Sequence, residues 1–421
     1  MTPLKTIAPG DVAVARTDPV DADTIDGARA ILDDVRARGG AAVREHAERL
    51  GDLEPGAPLT VDVPELNGAL EHLDTESAGH LQAANDAIRS FAEGQRSSLH
   101  AFSVPVPGTA GGRMGHELAP VDRAGCYAPG GRYPLPSSVL MTVATARAAG
   151  VGTVWVASPR PAPVTLAAAA IAGADGVLAV GGAQAIGAMV YGCGPIDPVD
   201  AVAGPGNRWV TAAKQLVAGR VAIDMLAGPS EVLVIADGSA DAATLAADLL
   251  AQAEHDDDAA CYLVTDEPAL IERVNQELEA RLADLPTAET ARKALSNSFA
   301  VACESLDEAV SVSDALAPEH LEIQTADASA IAARCRHYGA VFIGEGAAEA
   351  VGDYGVGPNH TLPTGGTARS FAGLSVLTFT RVRTFIDMPE PGPPELYRRT
   401  AALARLEGLE AHARSAERRI R

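Results

Sequence analysis

Gln252 and His255 stand three apart in AADLLAQAEHD. On the helix this run predicts, they share one face, one turn apart, and could offer an amide oxygen and an imidazole nitrogen to one metal ion. Alone, the pair reads more readily as a polar helix end with a histidine near the negative pole of the dipole. Glu319 and His320, in APEHLEI, precede a short β-type run and belong at the start of a strand or the end of a helix. Histidine exchanges protons near neutral pH, and an adjacent carboxylate raises its basicity. By itself, this pair too reads as solvated loop. VGDYGVGPNHTLPTGGTARS gathers Asp353, Asn359 and His360 in a Gly- and Pro-rich loop longer than a simple connection needs. EGLEAH adds Glu407 and His412, five apart, which on a straight helix point in different directions and alone suggest a solvated face. Together Gln252, His255, Asp353 and His412 make a set of two nitrogens and two oxygens, a composition that suits Zn²⁺ with room for substrate.

Other chemistries find less support. The GxGxxG dinucleotide fingerprint and the Walker A sequence are both missing. In their place stand YAPGGR (127–132), GGAQAIG (181–187) and AGPGNRWV (203–210), the last two where a strand would give way to a helix. Glycines there let backbone amides approach a pyrophosphate, or simply make tight turns. Ser230, in AGPSEVL, has neither a nucleophile elbow nor a base beside it, which disfavours a serine hydrolase. Cys126 has only Arg123 as a charged neighbour in sequence and reads as a packing thiol.

The elements that must position these groups follow from pattern. The 421 residues exceed the roughly 250–300 at which one core stops growing, so more than one packed unit is expected. A formal charge of -22, from 33 basic and 55 acidic residues, excludes a protein built to grip a phosphate backbone, and nucleic acid is not an expected partner. The five cysteines form no CxxC pair and read as reduced thiols of a cytoplasmic protein. The N-terminus lacks the apolar run of a signal peptide, and Val164–Gly182 reads as helix then strand rather than a membrane span. Ile25, Ala28, Leu32 and Val35 define an amphipathic helix that Gly39-Gly40 ends, and a second long helix spans about 75–96. Between about 120 and 230, β-type and helical runs alternate, the signature of βαβ units on a parallel sheet. The same rhythm returns after 230, and a Pro-rich turn near 385 leads to an Arg-studded helical tail that must dock elsewhere, on a partner subunit if one is present.

GCYAPGGR, PSSVLM, GGAQAIGA, GPGNRWVTAAK, DMLAGPSEVLVIAD, DLLAQAEHD, APEHLEI, GDYGVGPNHTLPTGGTAR, GLSV and EGLEAH occur in one order, and the chain from about residue 22 onward strongly resembles the histidinol dehydrogenase family. The resemblance implies a four-electron oxidation of L-histidinol to L-histidine with two NAD⁺ and a zinc ion, the last step of histidine biosynthesis. It implies an α/β fold with two Rossmann-like parallel-sheet domains, a small C-terminal helical segment and a domain-swapped homodimer. The corresponding division is a tail at 1–21, a zinc and substrate domain at 22–119 plus 231–384, an NAD domain at 120–230, and a dimerisation segment at 385–421. Carried over, the zinc ligands are Gln252, His255, Asp353 and His412, the last from the partner subunit. These four also contact substrate, with Ser230, Glu319, His320, His360 and Glu407. Glu319 and His320 are the catalytic pair, while Tyr127, Gln184 and Asn207 line the NAD site. Ala92, Tyr133-Pro134 and Asp257 depart from the family's usual residues. Such departures could mark a relative such as sulfopropanediol dehydrogenase, which would favour a pocket arginine, Arg132 or Arg369, for an anionic diol.

Overall fold

The computed structural model describes residues 3–12, 20–130 and 134–420, so Arg132 and Tyr133 lie outside the described residues. The chain is an α/β protein with two six-stranded sheets among the described residues. The first runs, in spatial order, Lys5–Ile7, Phe299–Ala302, Ala260–Thr265, Glu231–Ala236, His320–Gln324 and Ala340–Ile343, all parallel. The second runs Thr60–Val61, Gly176–Leu178, Thr153–Ala157, Arg123–Tyr127, Ala201–Ala203 and Ala222–Ile223, parallel except for its first pair. Setting aside the outermost strand at the start of each list, both sheets follow the chain order 3-2-1-4-5.

Strands such as EVLVIA read as continuous apolar runs because helices cover both faces of these sheets, and five of its six residues are buried. Val232 and Val234 face the helix Ala242–Ala253 through Leu245 and Leu249, while Leu233, Ile235, Leu321 and Ile323 fill the opposite core. The helix Pro136–Ala149 is buried nearly all round, and Thr142 and Thr145 satisfy their hydroxyls on the carbonyls of Ser138 and Met141 at 2.7 and 2.6 Å.

The observed packing differs from the expected division. Lys5–Ile7 is an edge strand rather than a tail, and Leu4 is held by Asn275 through paired backbone bonds of 2.8 and 3.3 Å. A three-residue strand is too short to show any period. The helix Ala22–Arg38, capped by Asp21 and stopped at Gly39, buries Ala28, Leu32 and Val35 against Leu178, Ile186 and Met189 of the second sheet's core, not against the first. Gly27 makes this approach possible: a Cβ there would lie 2.7 Å from the Trp209 ring.

The contacts divide the chain into one unit of 1–94 plus 121–379, which holds both parallel sheets, and a second of 95–120 plus 380–421. The second unit is more than a helical segment. Thr380–Asp387 pairs antiparallel with Arg113–Pro120, which pairs with Phe102–Pro105. Its helices Pro394–Leu406 and Glu410–Glu417 bury Tyr397, Ala401, Ala413 and Ala416 against one another. Among the described residues no helix is long and apolar enough to cross a membrane.

Candidate functional site

Register brings the first sheet's chemistry together. Val232 pairs with His320, so Glu231 and Glu319, one residue earlier on each strand, meet at the amino-terminal edge. The Glu231 backbone N–H donates to Glu319 Oε2 at 3.0 Å, and the Glu231 carbonyl lies 3.2 Å from His320 Nδ1. With a proton on Nδ1 that contact is a hydrogen bond, and Nε2 is left as a lone-pair acceptor. His320 is 4% exposed, and Nε2 is buried with no protein partner. Burial pushes its basicity down to about 3, helped by His360 and His255 and opposed by the Glu231 carbonyl, so the ring is neutral at pH 7. His360 is held down to about 4, again chiefly by burial.

Facing this edge, His255, Glu349 and Asp353 each bring one ligand atom within 4.8 Å of the others. His255 lies just past the helix that carries Gln252, which ends at Ala253; the expected same-helix pair is therefore a helical residue and a turn residue, joined by His255 N–H to the Gln252 carbonyl at 3.3 Å. Asp353 likewise sits in the short helix Glu349–Tyr354 rather than in a loop. Asn359 and His360 remain in the loop. Asn359 donates to the Met141 carbonyl at 2.9 Å and the Thr145 hydroxyl at 3.2 Å, tying this loop to the second sheet's helix.

Buried acids surround the cluster. Burial drives Asp353 and Glu231 up to about 7, and it raises Glu319 and Glu349 well above the carboxylate range, with neighbouring carboxylates adding to it. Imidazoles held neutral beside carboxylates that ionise reluctantly are donors suited to a divalent cation, which would stabilise those carboxylates in charged form. The fit is geometric as well: oxygens and a nitrogen within 4.8 Å can converge on one ion with bonds near 2 Å. Glu349 and Glu231 were not among the sequence candidates. Glu349 stands four before Asp353 on one helix, a same-face spacing that carries meaning only once Asp353 is seen on a helix rather than in a loop.

Deeper still, Glu322 is fully buried near Asp248, and accepts the Glu349 N–H at 2.8 Å. Burial raises both acids, and the neighbouring Asp248 raises Glu322 further. An acid raised above its unfolded value holds its proton more tightly when folded, so this pair costs stability as pH climbs from about 4. Glu322→Gln keeps an oxygen for Glu349 N–H and removes one ionisation. Its Tm is expected to match wild type near pH 4 and exceed it by about 2 °C at pH 9; a lower Tm at pH 9 would contradict the sign.

The NAD-side candidates gather at the carboxyl edge of the second sheet. Tyr127 ends a strand and its hydroxyl accepts Gly182 N–H at 3.2 Å; Gln184 donates to Asp52 at 3.1 Å; Asn207 caps the helix Arg208–Val217 through Trp209 and Val210 N–H. Gly204, at φ +119°, lies where a Cβ would fall 2.0 Å from the Tyr127 carbonyl oxygen, so only glycine brings these two strand ends together. The buried Lys214–Asp224 pair holds it by carbonyl and N–H, at 3.0 and 2.7 Å. Ser230 is half-buried beside Glu231. Glu407 and His412 lie in the second unit, both exposed, and not on one straight helix: Gly408, at φ +77°, separates the two helices.

Two weighed alternatives lose ground. Arg369 donates to the Asp314 and Ala315 carbonyls, so its guanidinium is engaged by backbone. Cys126 is fully buried, which pushes its thiol up to about 12, and all five cysteines are buried and unpaired.

A model of the histidinol dehydrogenase family matches residues 15–420. Histidinol dehydrogenase of Thermus thermophilus is 45% identical over 390 residues, covering 92% of each chain, and that of Aromatoleum aromaticum is 43% identical over 397 residues, covering 93% of this chain and 90% of the relative. A crystal structure of histidinol dehydrogenase from Elizabethkingia anophelis superposes with a TM-score of 0.92 at 31% identity, covering 100% of this chain and 98% of that one.

Proposed function

The chain belongs to the histidinol dehydrogenase family, whose members act in histidine biosynthesis, and we propose that it oxidises L-histidinol through L-histidinal to L-histidine with zinc and two NAD⁺ per substrate. The observation that carries this reading is His320: neutral, fixed at Nδ1, and presenting a buried, unpartnered Nε2 beside the His255–Glu349–Asp353 cluster.

Gln252, His255 and Asp353 would hold the metal, with His412 of a partner subunit as the fourth ligand. Zinc bound there would fix the substrate's amino and imidazole nitrogens, and NAD⁺ would accept hydride. His320 Nε2 takes the hydroxyl proton as hydride departs from the carbinol carbon. Ser230 and His360, with Glu407 supplied by the same partner segment as His412, would then hold the aldehyde in place. Glu319 or His320 activates the water that hydrates it by taking its proton, and the resulting gem-diol loses a hydroxyl proton and its second hydride, which the second NAD⁺ would accept. No thiol is required, in keeping with five buried cysteines.

The 3-2-1-4-5 strand order supports reading both parallel-sheet halves as Rossmann-like. In the second sheet the order reverses between Arg123–Tyr127 and Ala201–Ala203, and a nucleotide binds such folds outside the carboxyl ends at that reversal. Tyr127, Gln184 and Asn207 stand there. A homodimer is supported by the second unit, which exposes the apolar residues Val382, Ile386, Leu403 and Leu406 and also exposes His412 and Glu407. A cytoplasmic location completes the reading.

The test is NADH formed per L-histidinol consumed, with chelator, then with restored Zn²⁺, beside a sulfopropanediol control. Two NADH per histidinol, lost with chelator and regained with zinc, is the expected result. Turnover of the diol without histidinol would overturn the substrate assignment.

A further inference from the structure

Gln252 is fully buried, and its amide lies against the Glu349 carboxylate at 2.6 and 3.0 Å. An amide can be set two ways, and against Glu349 in the charged form that a bound cation would stabilise only one is physically acceptable. With oxygen toward Glu349, acceptor faces acceptor; with nitrogen toward it, Nε2 donates to both carboxylate oxygens. That setting turns Gln252 Oε1 away from Glu349, to the side where the amide would otherwise face only donors. Glu349 is itself anchored, 2% exposed, with its backbone N–H on Glu322 Oε1.

We propose that Glu349 is a positioning residue: by engaging the Gln252 amide nitrogen it dictates that this side chain presents its oxygen to the bound metal. The inference rests on the zinc reading above. Glu349 lies close enough to His255 and Asp353 to be mistaken for a ligand. Both of its oxygens, however, are engaged by one amide nitrogen, so it acts through Gln252. A neutral amide on its own has no reason to point oxygen inward. A carboxylate behind it removes the alternative, as outer partners do for metal-bound side chains in general.

The experiment measures zinc affinity of the full-length protein by competition with a chromophoric chelator, for wild type, Glu349→Gln, Gln252→Ala and their combination. Glu349→Gln is near-isosteric but can donate as well as accept, so it no longer sorts the two amide settings. It should weaken zinc binding about 10–100-fold. In the Gln252→Ala background the same change should add no more than about threefold, because its target is gone. The exchanged pair Gln252→Glu with Glu349→Gln restores one carboxylate facing one amide and should recover most of the lost affinity. Wild-type affinity in Glu349→Gln, losses that add in the combination, or no recovery in the exchanged pair would each overturn the inference with zinc binding intact. A wild-type protein that binds no zinc would instead remove the metal reading, and the inference with it.

Discussion

His320→Ala is expected to lower kcat by about 10²–10⁴-fold while zinc content and Tm stay close to wild type, the range that a lost general base spans. The size follows from where the ring sits. Its Nδ1 is fixed by a strand carbonyl and its Nε2 faces no protein group, so no neighbour shares the task. Glu319 cannot simply take over, since its Oε2 already accepts the Glu231 N–H and burial disfavours its charged form. The change also removes no proposed ligand. Zinc measured on the same preparation separates the two roles: metal retained with turnover lost places His320 on the proton path. Turnover within about threefold of wild type would take it off that path.

That a strand begins near this pair was legible in APEHLEI, because a polar pair precedes a β-type run; that His320 opens the strand, and that both residues are buried, was not, since the pair alone reads as solvated loop. The two parallel sheets were equally legible from alternation of β-type and helical runs. The end of the helix at Ala253 was not, since His255 continues an acceptable helical pattern and only the chain's turn back toward the strand Ala260–Thr265 stops it. Nor could the pattern of Ile25, Ala28, Leu32 and Val35 name its partner: an amphipathic face states that it will be buried, not against which sheet. Glu349 escaped because AAEAVGDY, read locally, is an ordinary solvated helix start. Only the fold reveals that its first turn is buried against Gln252 and Glu322. Glu231 escaped similarly, as a lone charge ahead of five apolar residues.

His412→Ala should reduce both zinc affinity and turnover severely, by about 100-fold or more in each, as loss of one nitrogen ligand from four would do. Taken alone, this would not reveal which subunit supplies the residue. Mixing does. His412→Ala and His320→Ala subunits are each inactive as homodimers, but after unfolding and joint refolding half of the dimers should contain one of each. If His412 completes the partner's site, every such dimer has one site with both histidines and one with neither. Activity should then return to about one quarter of wild type, half the dimers times half their sites. If each subunit instead completes its own site, no combination contains an intact one, and the mixture stays as inactive as its parents. The exposed His412, on a helix following the Gly408 turn in a unit that also exposes Leu403 and Leu406, favours the first outcome: a ligand with no cover of its own is positioned by whatever covers that unit's apolar surface.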